Sequence, residues 1–153
     1  MTDYPYICSA LRELCDGVDY EVTDLANASA LLYSSMDRLN WAGFYLMRDG
    51  MLILGPFQGR PACTVIGPGK GVCGTAAEQD RTVVVPDVHL FPGHIACDSA
   101  SESEIVVPIH VNGEIFGVLD IDSPVKNRFS DEDREGLERF VRILEDCISK
   151  DLK

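Results

Sequence analysis

The chain has 153 residues, enough for one domain with a substantial core, and its 46% apolar and 25% charged composition is that of an ordinary folded protein. Asp and Glu total 25 against 13 Lys and Arg, a net charge of -12 that repels polyanions and argues against nucleic acid as a partner. The N-terminus has no basic region followed by an apolar run, and no stretch approaches the ~20 apolar residues of a membrane span, so a cytoplasmic location without membrane association is expected. In that reducing setting the six cysteines, Cys8, Cys15, Cys63, Cys73, Cys97 and Cys147, are expected as thiols rather than as a disulfide framework.

In chain order, Ile7, Leu11, Leu14 and Cys15 suggest a short first helix. The spacing of Leu25, Ala28, Leu32, Met36 and Leu39 predicts a second over 22–39, with Thr23 or Asp24 as cap. The period then changes to two. WAGFYLM (41–47) and MLILG (51–55) flank RDG, which predicts an antiparallel hairpin with Gly50 in the turn. A third short strand over 62–66, a helix over 71–80 and a fourth strand over 82–85 follow. The segment 86–103, rich in Pro, Gly, His, Asp and Ser, is long for a connector in so small a domain, and such loops often carry function. A second hairpin, 104–110 with 114–122, flanks VNG. A capped helix over 130–150 with Leu137, Phe140, Val141, Leu144 and Ile148 on one face is expected to cover the sheet.

The register of the second hairpin decides where three carboxylates point. A two-residue loop, Asn112-Gly113, would aim Glu104 away from Asp120 and Asp122. A three-residue loop with Gly113 as a bulge pairs His110 with Glu114 and sets Glu104 opposite Asp120. The second option is the better fit, because it gathers Ile105, Val107, Ile109, Ile115, Gly117, Leu119 and Ile121 on one apolar face. The other face then holds Val106, Phe116 and Val118 with Glu104, Asp120 and Asp122 clustered at one end, as a small polar ligand requires.

Several constellations compete for the chemistry. GKGVCG (69–74) fits a dinucleotide fingerprint, but hairpins surround it, so it reads as a tight turn into a helix. That helix start could hold a carboxylate or lower the pKa of Cys73. Cys63, Cys73, His89, His94 and Cys97 offer ligands enough for zinc, yet apart from His89 and His94 their spacings lack the short pairs of a structural site, and no metal is expected. A Cys-His hydrolase built on Cys97 and His94 would leave Cys63 and Cys73 unexplained. Trp41 and Tyr45 share one side of their strand, either as core or as the aromatic wall of a pocket. Cys8, Cys15 and Cys147 fall in helical patterns and read as small buried hydrophobes. Cys63, Cys73 and Cys97, at loop edges, suit thiol-disulfide chemistry, in which an attacking thiolate becomes a sulfenic acid that a second thiol captures.

GKGVCGTAA (69–77), VVPDV (84–88), SEIVVP (103–108) and FGVLDID (116–122) resemble a GAF domain across nearly the whole chain. NWAGFY (40–45), LGPFQG (54–59), Ala62-Cys63, GKGVCG (69–74) and FPGHIACD (91–98) are more narrowly similar to the free methionine-(R)-sulfoxide reductases, a stand-alone GAF enzyme family. The resemblance implies an α+β fold: a single GAF domain over 1–153, with an N-terminal helical segment (1–40), a mainly antiparallel sheet of about six strands (41–122) carrying a catalytic loop (86–103), and a C-terminal helix (130–150). Helices would pack on one face and a ligand pocket would open on the other. It further implies Cys97 as the nucleophile at the sulfoxide sulfur, Cys63 or Cys73 as the thiol that resolves the sulfenic acid, Glu104, Asp120 and Asp122 as the acidic substrate cluster, and Trp41 and Tyr45 as the aromatic pocket. No bound cofactor is implied; thioredoxin, ultimately fed by NADPH, would be the external reductant, and the fold would permit a homodimer. The resemblance implies a role in repairing oxidised methionine under oxidative stress. The competing reading is a GAF sensor that binds a small molecule without turning it over.

Overall fold

The computed structural model describes residues 1–95 and 97–153; Ala96, inside the expected loop, lies outside the described residues. Among the described residues four α-helices, α1 (Tyr4–Cys15), α2 (Glu21–Ser35), α3 (Gly71–Gln79) and α4 (Asp131–Asp151), and a 3-10 turn (Val88–Leu90) accompany six strands, β1 (Trp41–Arg48), β2 (Met51–Gly59), β3 (Val65–Ile66), β4 (Val83–Val85), β5 (Ser103–Val111) and β6 (Glu114–Ser123). The strands form one sheet in the order β3-β2-β1-β6-β5-β4, with every neighbouring pair antiparallel. Among the described residues no helix is long and apolar enough to cross a membrane.

The two faces of the sheet have different covers. On one, the buried stripes of α1 (Ile7, Cys8, Leu11, Cys15), α2 (Leu25, Ala28, Leu32) and α4 (Leu137, Phe140, Val141, Leu144, Ile148) pack against Ala42, Phe44, Ile105, Val107, Ile109, Leu119 and Ile121. Side chains at alternate strand positions meet helical positions three and four apart, which is how a half-apolar sheet and half-apolar helices seal a core. The α4 helix starts with a capping box between Ser130 and Asp133, and the Tyr4 hydroxyl donates to Asp133 Oδ1 at 2.6 Å, which pins the start of α1 to the start of α4. On the other face a second cluster joins Val72, Cys73 and Ala76 of α3 to Trp41, Tyr45, Val83, Val85, Val106 and Val118. Helices therefore lie on both faces, three on one and α3 on the other beside the pocket.

Three local expectations are corrected. First, α2 starts at Glu21 after Tyr20, whose side chain makes no cap, and stops at Ser35; Asp24 points inward and is buried rather than capping. Second, β2 runs on through Pro56 to Gly59, while the third strand shrinks to two residues. Pro56 is tolerated because the β1–β2 register shifts between Gly43 and Tyr45, and a bulge spares the missing N–H. Third, the β5–β6 hairpin closes on two residues: Asn112 and Gly113 both take positive φ, and Val111 pairs with Glu114. The bulge sits instead at Phe116, between the pairs His110–Ile115 and Ile109–Gly117. Glu104 consequently lies opposite Asp122, and Val106 opposite Asp120. The three carboxylates still share one face, but Phe116 is turned to the helix side, where it packs against that core.

Candidate active site

A cleft opens on the α3 side of the sheet, and seven of the eight residues expected in the site line it: Trp41 and Tyr45 from β1, Cys73 from α3, Cys97 from the loop, Glu104 from β5, and Asp120 and Asp122 from β6; the eighth, Cys63, is bonded to Cys97 beside it. The sheet register explains the convergence. Trp41 pairs with Asp122 and Tyr45 with Val118 across β1–β6, so aromatic and acidic side chains rise side by side. Gly43, between them, pairs with Asp120; a Cβ there would meet Phe57 Cβ at 2.3 Å, and its absence lets Phe57 and Trp41 stack at 5.1 Å. Trp41 also stacks on Tyr45 at 5.9 Å, and both are 2% exposed, so each is core and pocket wall at once.

Cys63 and Cys97 are joined by a disulfide, their Cα atoms 5.5 Å apart, within the usual span of such bonds. Of the two partners that the resemblance implies for Cys97, Cys63 and Cys73, it is Cys63 that is bonded; among the described cysteines Cys8, Cys15, Cys73 and Cys147 are free. Cys63 lies between β2 and β3, and Cys97 lines the pocket together with the neighbouring Ala62. The Tyr45 hydroxyl donates to the Cys63 carbonyl at 2.9 Å, fixing the strand side of the bond.

Cys73 is not at a loop edge. It is the third residue of α3 and only 3% exposed. The helix start does not lower its pKa: burial and the charges of Asp120, Glu104 and Asp122 push the thiol well above its ordinary value. The carboxyl groups respond in the same way. Burial, followed by the charge of Asp120, drives Glu104 and Asp122 well above the usual carboxylate range. Burial raises Asp120 too, but interactions with Glu104, Asp122 and Cys73 oppose that rise, which makes Asp120 the natural seat of the cluster's negative charge. Oδ1 of Asp120 and Oδ1 of Asp122 are sealed from solvent and have no donor among the described residues. Such orphaned acceptors suit a ligand that brings its own N–H groups.

Four residues absent from the expected site, or cast there in another role, hold it together. Asn40 Nδ2 donates to Asp98 Oδ2 and to Ser101 Oγ, both at 3.0 Å, and Ser101 Oγ donates to Asp122 Oδ2 at 3.1 Å. The backbone N–H of Ala100 donates to Asp98 Oδ1 at 2.9 Å. This chain ties the Cys97 loop to β1 and to the acidic cluster. His94 Nε2 lies 3.8 Å from Glu104 Oε1, and burial lowers its pKa, favouring the neutral ring. His89 pairs with Asp87 on the exposed side, so the two histidines do not make one ligand pair. Among the described residues the group able to offer three ligand atoms within 4.8 Å is Cys73, Glu104 and Asp120, which shares only Cys73 with the five residues weighed as zinc ligands.

Residues 9–148 match the GAF domain family. The chain is 56% identical over 125 residues to the free methionine-R-sulfoxide reductase of Escherichia coli (strain K12), covering 82% of this chain and 76% of that one. The chain belongs to the GAF family, within the free methionine-R-sulfoxide reductase group. This GAF domain is also 47% identical to the free methionine-R-sulfoxide reductase of Saccharomyces cerevisiae (strain ATCC 204508 / S288c), over 90% of this chain and 81% of the relative. Its fold superposes on the Staphylococcus aureus protein called fRMsr, solved in complex with substrate, with a TM-score of 0.92 at 51% identity and 97% coverage of both chains.

Proposed function

We propose that this GAF domain reduces free L-methionine (R)-S-oxide to methionine, with Cys97 as nucleophile and Cys63 as the thiol that captures its oxidised form. The observation that carries the reading is a disulfide beside a cleft lined by three carboxyl groups, Glu104 and Asp120 buried and Asp122 partly buried. Relatives named for this activity at 56% and 47% identity support the same reading.

Reduction of a sulfoxide takes two electrons. The Cys97 thiolate attacks the sulfoxide sulfur while a protonated carboxyl of Glu104 or Asp122 donates to the oxygen. The oxygen, now carrying that proton, passes from the substrate sulfur to Cys97 Sγ as the S–O bond breaks; the new S–S bond breaks with its electron pair returned to the thioether, methionine leaves, and Cys97 is left as a sulfenic acid. The Cys63 thiol then attacks Cys97 Sγ, water departs, and the disulfide closes. Asp120, ionised, holds the substrate ammonium, and the Trp41 and Tyr45 rings face the apolar side chain. Cys73 stays protonated and contributes to the cluster rather than to the first disulfide. A dithiol protein of the thioredoxin class, itself fed by NADPH, returns two electrons, and the cycle serves repair of oxidised methionine under oxidative stress.

The test is single turnover. Fully reduced protein is mixed with the separate R and S epimers of free methionine sulfoxide, without recycling reductant, and methionine and thiols are counted. About one methionine per chain from the R epimer alone, with loss of the Cys63 and Cys97 thiols, is the expected result. No methionine and no thiol loss would leave a GAF domain that binds a ligand without turnover.

A further inference from the structure

The far side of the molecule carries a second pair of thiols. Cys15 is the last residue of α1 and Cys147 lies on α4, and both line one groove with Arg12, Asp16, Asp146 and Lys150. Cys15 is buried and Cys147 is partly exposed. They are near enough to perturb each other's protonation. Beneath them Asp24, 2% exposed, and Asp151 face each other with all four carboxyl oxygens sealed from solvent and without a donor among the described residues. Because α1 and α4 cover the sheet face opposite the cleft, the Cys97 of the same chain cannot reach this pair.

An accessible thiol, a buried thiol behind it and a buried carboxyl beside the buried one are the parts of a dithiol that opens external disulfides. We propose that Cys147 and Cys15 form a second, reversible dithiol/disulfide couple, which exchanges with disulfides of small zwitterionic peptide thiols at the groove between α1 and α4. Arg12 and Lys150 on one hand, and Asp16 and Asp146 on the other, supply partners of both signs for such a molecule.

The Cys147 thiolate attacks one sulfur of the small disulfide; that S–S bond breaks, a mixed disulfide forms on Cys147, and one small thiolate leaves. Cys15 passes its proton to Asp24 and attacks Cys147 Sγ. The mixed bond breaks, Cys15–Cys147 forms, and the second small thiol leaves after taking a proton. Two electrons pass from the two cysteines to the small disulfide. Contact with Cys15 pulls the Cys147 thiol down, as the first attack requires, whereas contact with Cys147 and burial push Cys15 up, so its attack depends on a base to take its proton. Asp24, lifted by burial to about 7, is available as a base near neutrality.

The experiment uses oxidised glutathione as probe on the reduced wild-type chain and on a variant with Cys63→Ser, Cys73→Ser and Cys97→Ser, read by intact mass and peptide mapping. The expected product in both is a Cys15–Cys147 disulfide, with two glutathiones released per chain in the variant that lacks the pocket cysteines. Cys15→Ser should stop at a glutathionyl adduct on Cys147, and Cys147→Ser should leave Cys15 unmodified. Asp24→Asn should slow closure of the mixed disulfide roughly tenfold or more, a base being worth ~10²–10⁴ in such steps. Turnover of methionine sulfoxide by Cys147→Ser should equal that of wild type. A lasting adduct on Cys147 with Cys15 still reduced in the wild-type chain, or no reaction at either thiol, would overturn the proposal. Closure at an unchanged rate in Asp24→Asn would remove Asp24 from it.

Discussion

The Tyr45 hydroxyl and the Cys63 carbonyl, 2.9 Å apart, make the aromatic wall and one half of the disulfide a single unit. A neutral hydrogen bond of this kind is worth about 1 kcal/mol, and more when a carbonyl is left unpaired. Tyr45→Phe is therefore expected to slow closure of Cys63–Cys97 about five- to tenfold relative to methionine release. Quenched single-turnover samples, assayed for methionine and for disulfide separately, check it; a wild-type ratio of the two rates would show that the bond does not set the geometry of closure.

The three pocket cysteines should separate cleanly. Cys97→Ser is expected to abolish methionine release, because Cys97 lines the cleft itself and Cys63 does not. Cys63→Ser should still release about one methionine per chain and then stop, leaving a trappable sulfenic acid. Cys73→Ser should retain the Cys63–Cys97 disulfide. Dimedone labelling and peptide mass mapping distinguish the three outcomes.

Activity should fall as pH rises through the range where the acidic cluster ionises, since Glu104 and Asp122 are held well above ordinary carboxylate values by burial and by the charge of Asp120. Asp120→Asn removes that charge, so the remaining carboxyls ionise more readily and the alkaline limb of the pH-rate profile should move to lower pH. A limb that stays in place, or moves upward, would mean that another group controls it.

Oxidation should be visible as heat stability. A bond that closes a loop of sequence separation 34 restricts the unfolded chain by about 4 kcal/mol in the chain-entropy treatment. For a chain of this size that corresponds to roughly ten degrees in Tm. Calorimetry of oxidised and reduced protein in a Cys147→Ser background, where the second thiol pair cannot close, checks the sign and size, and adding Cys63→Ser should abolish the difference.

Asp24 gives a second pH signature, one of stability. Its folded value of about 7 stands above the unfolded 3.8, so the unfolded chain gives up this proton first, and the group's contribution is lost as pH rises between those values. Wild-type Tm should decline across that window, and Asp24→Asn should flatten the decline. Parallel melting curves for the two proteins at pH 4 to 8 would show whether Asp24 is the source.

Periodicity carried most of the fold because the helices expose only one apolar face and the strands alternate. The stripe Leu137, Phe140, Val141, Leu144, Ile148 and the change to period two at Trp41 each have one structural reading. The hairpin register was harder, since Asn112-Gly113 accommodates both a tight turn and a longer loop, and only the backbone at those two residues decides. The thiols were legible as a set but not as environments. Nothing in the neighbours of Cys73 along the chain announces that Asp120 and Glu104 approach it from two other strands. Asn40 and Ser101 were invisible for the same reason: polar residues beside a strand and in a loop acquire meaning only when the loop folds back.

The extra residue at Phe116 splits the β5–β6 hairpin into two halves of opposite parity. In an uninterrupted ladder, a one-residue change at the tip would invert every side chain down to Asp122. Here the odd residue works as an expansion joint. A turn lengthened by one residue, with the joint closed up in exchange, would leave Glu104 facing Asp122 as before. The tip of the hairpin and the acidic floor of the cleft are thus free to diverge independently.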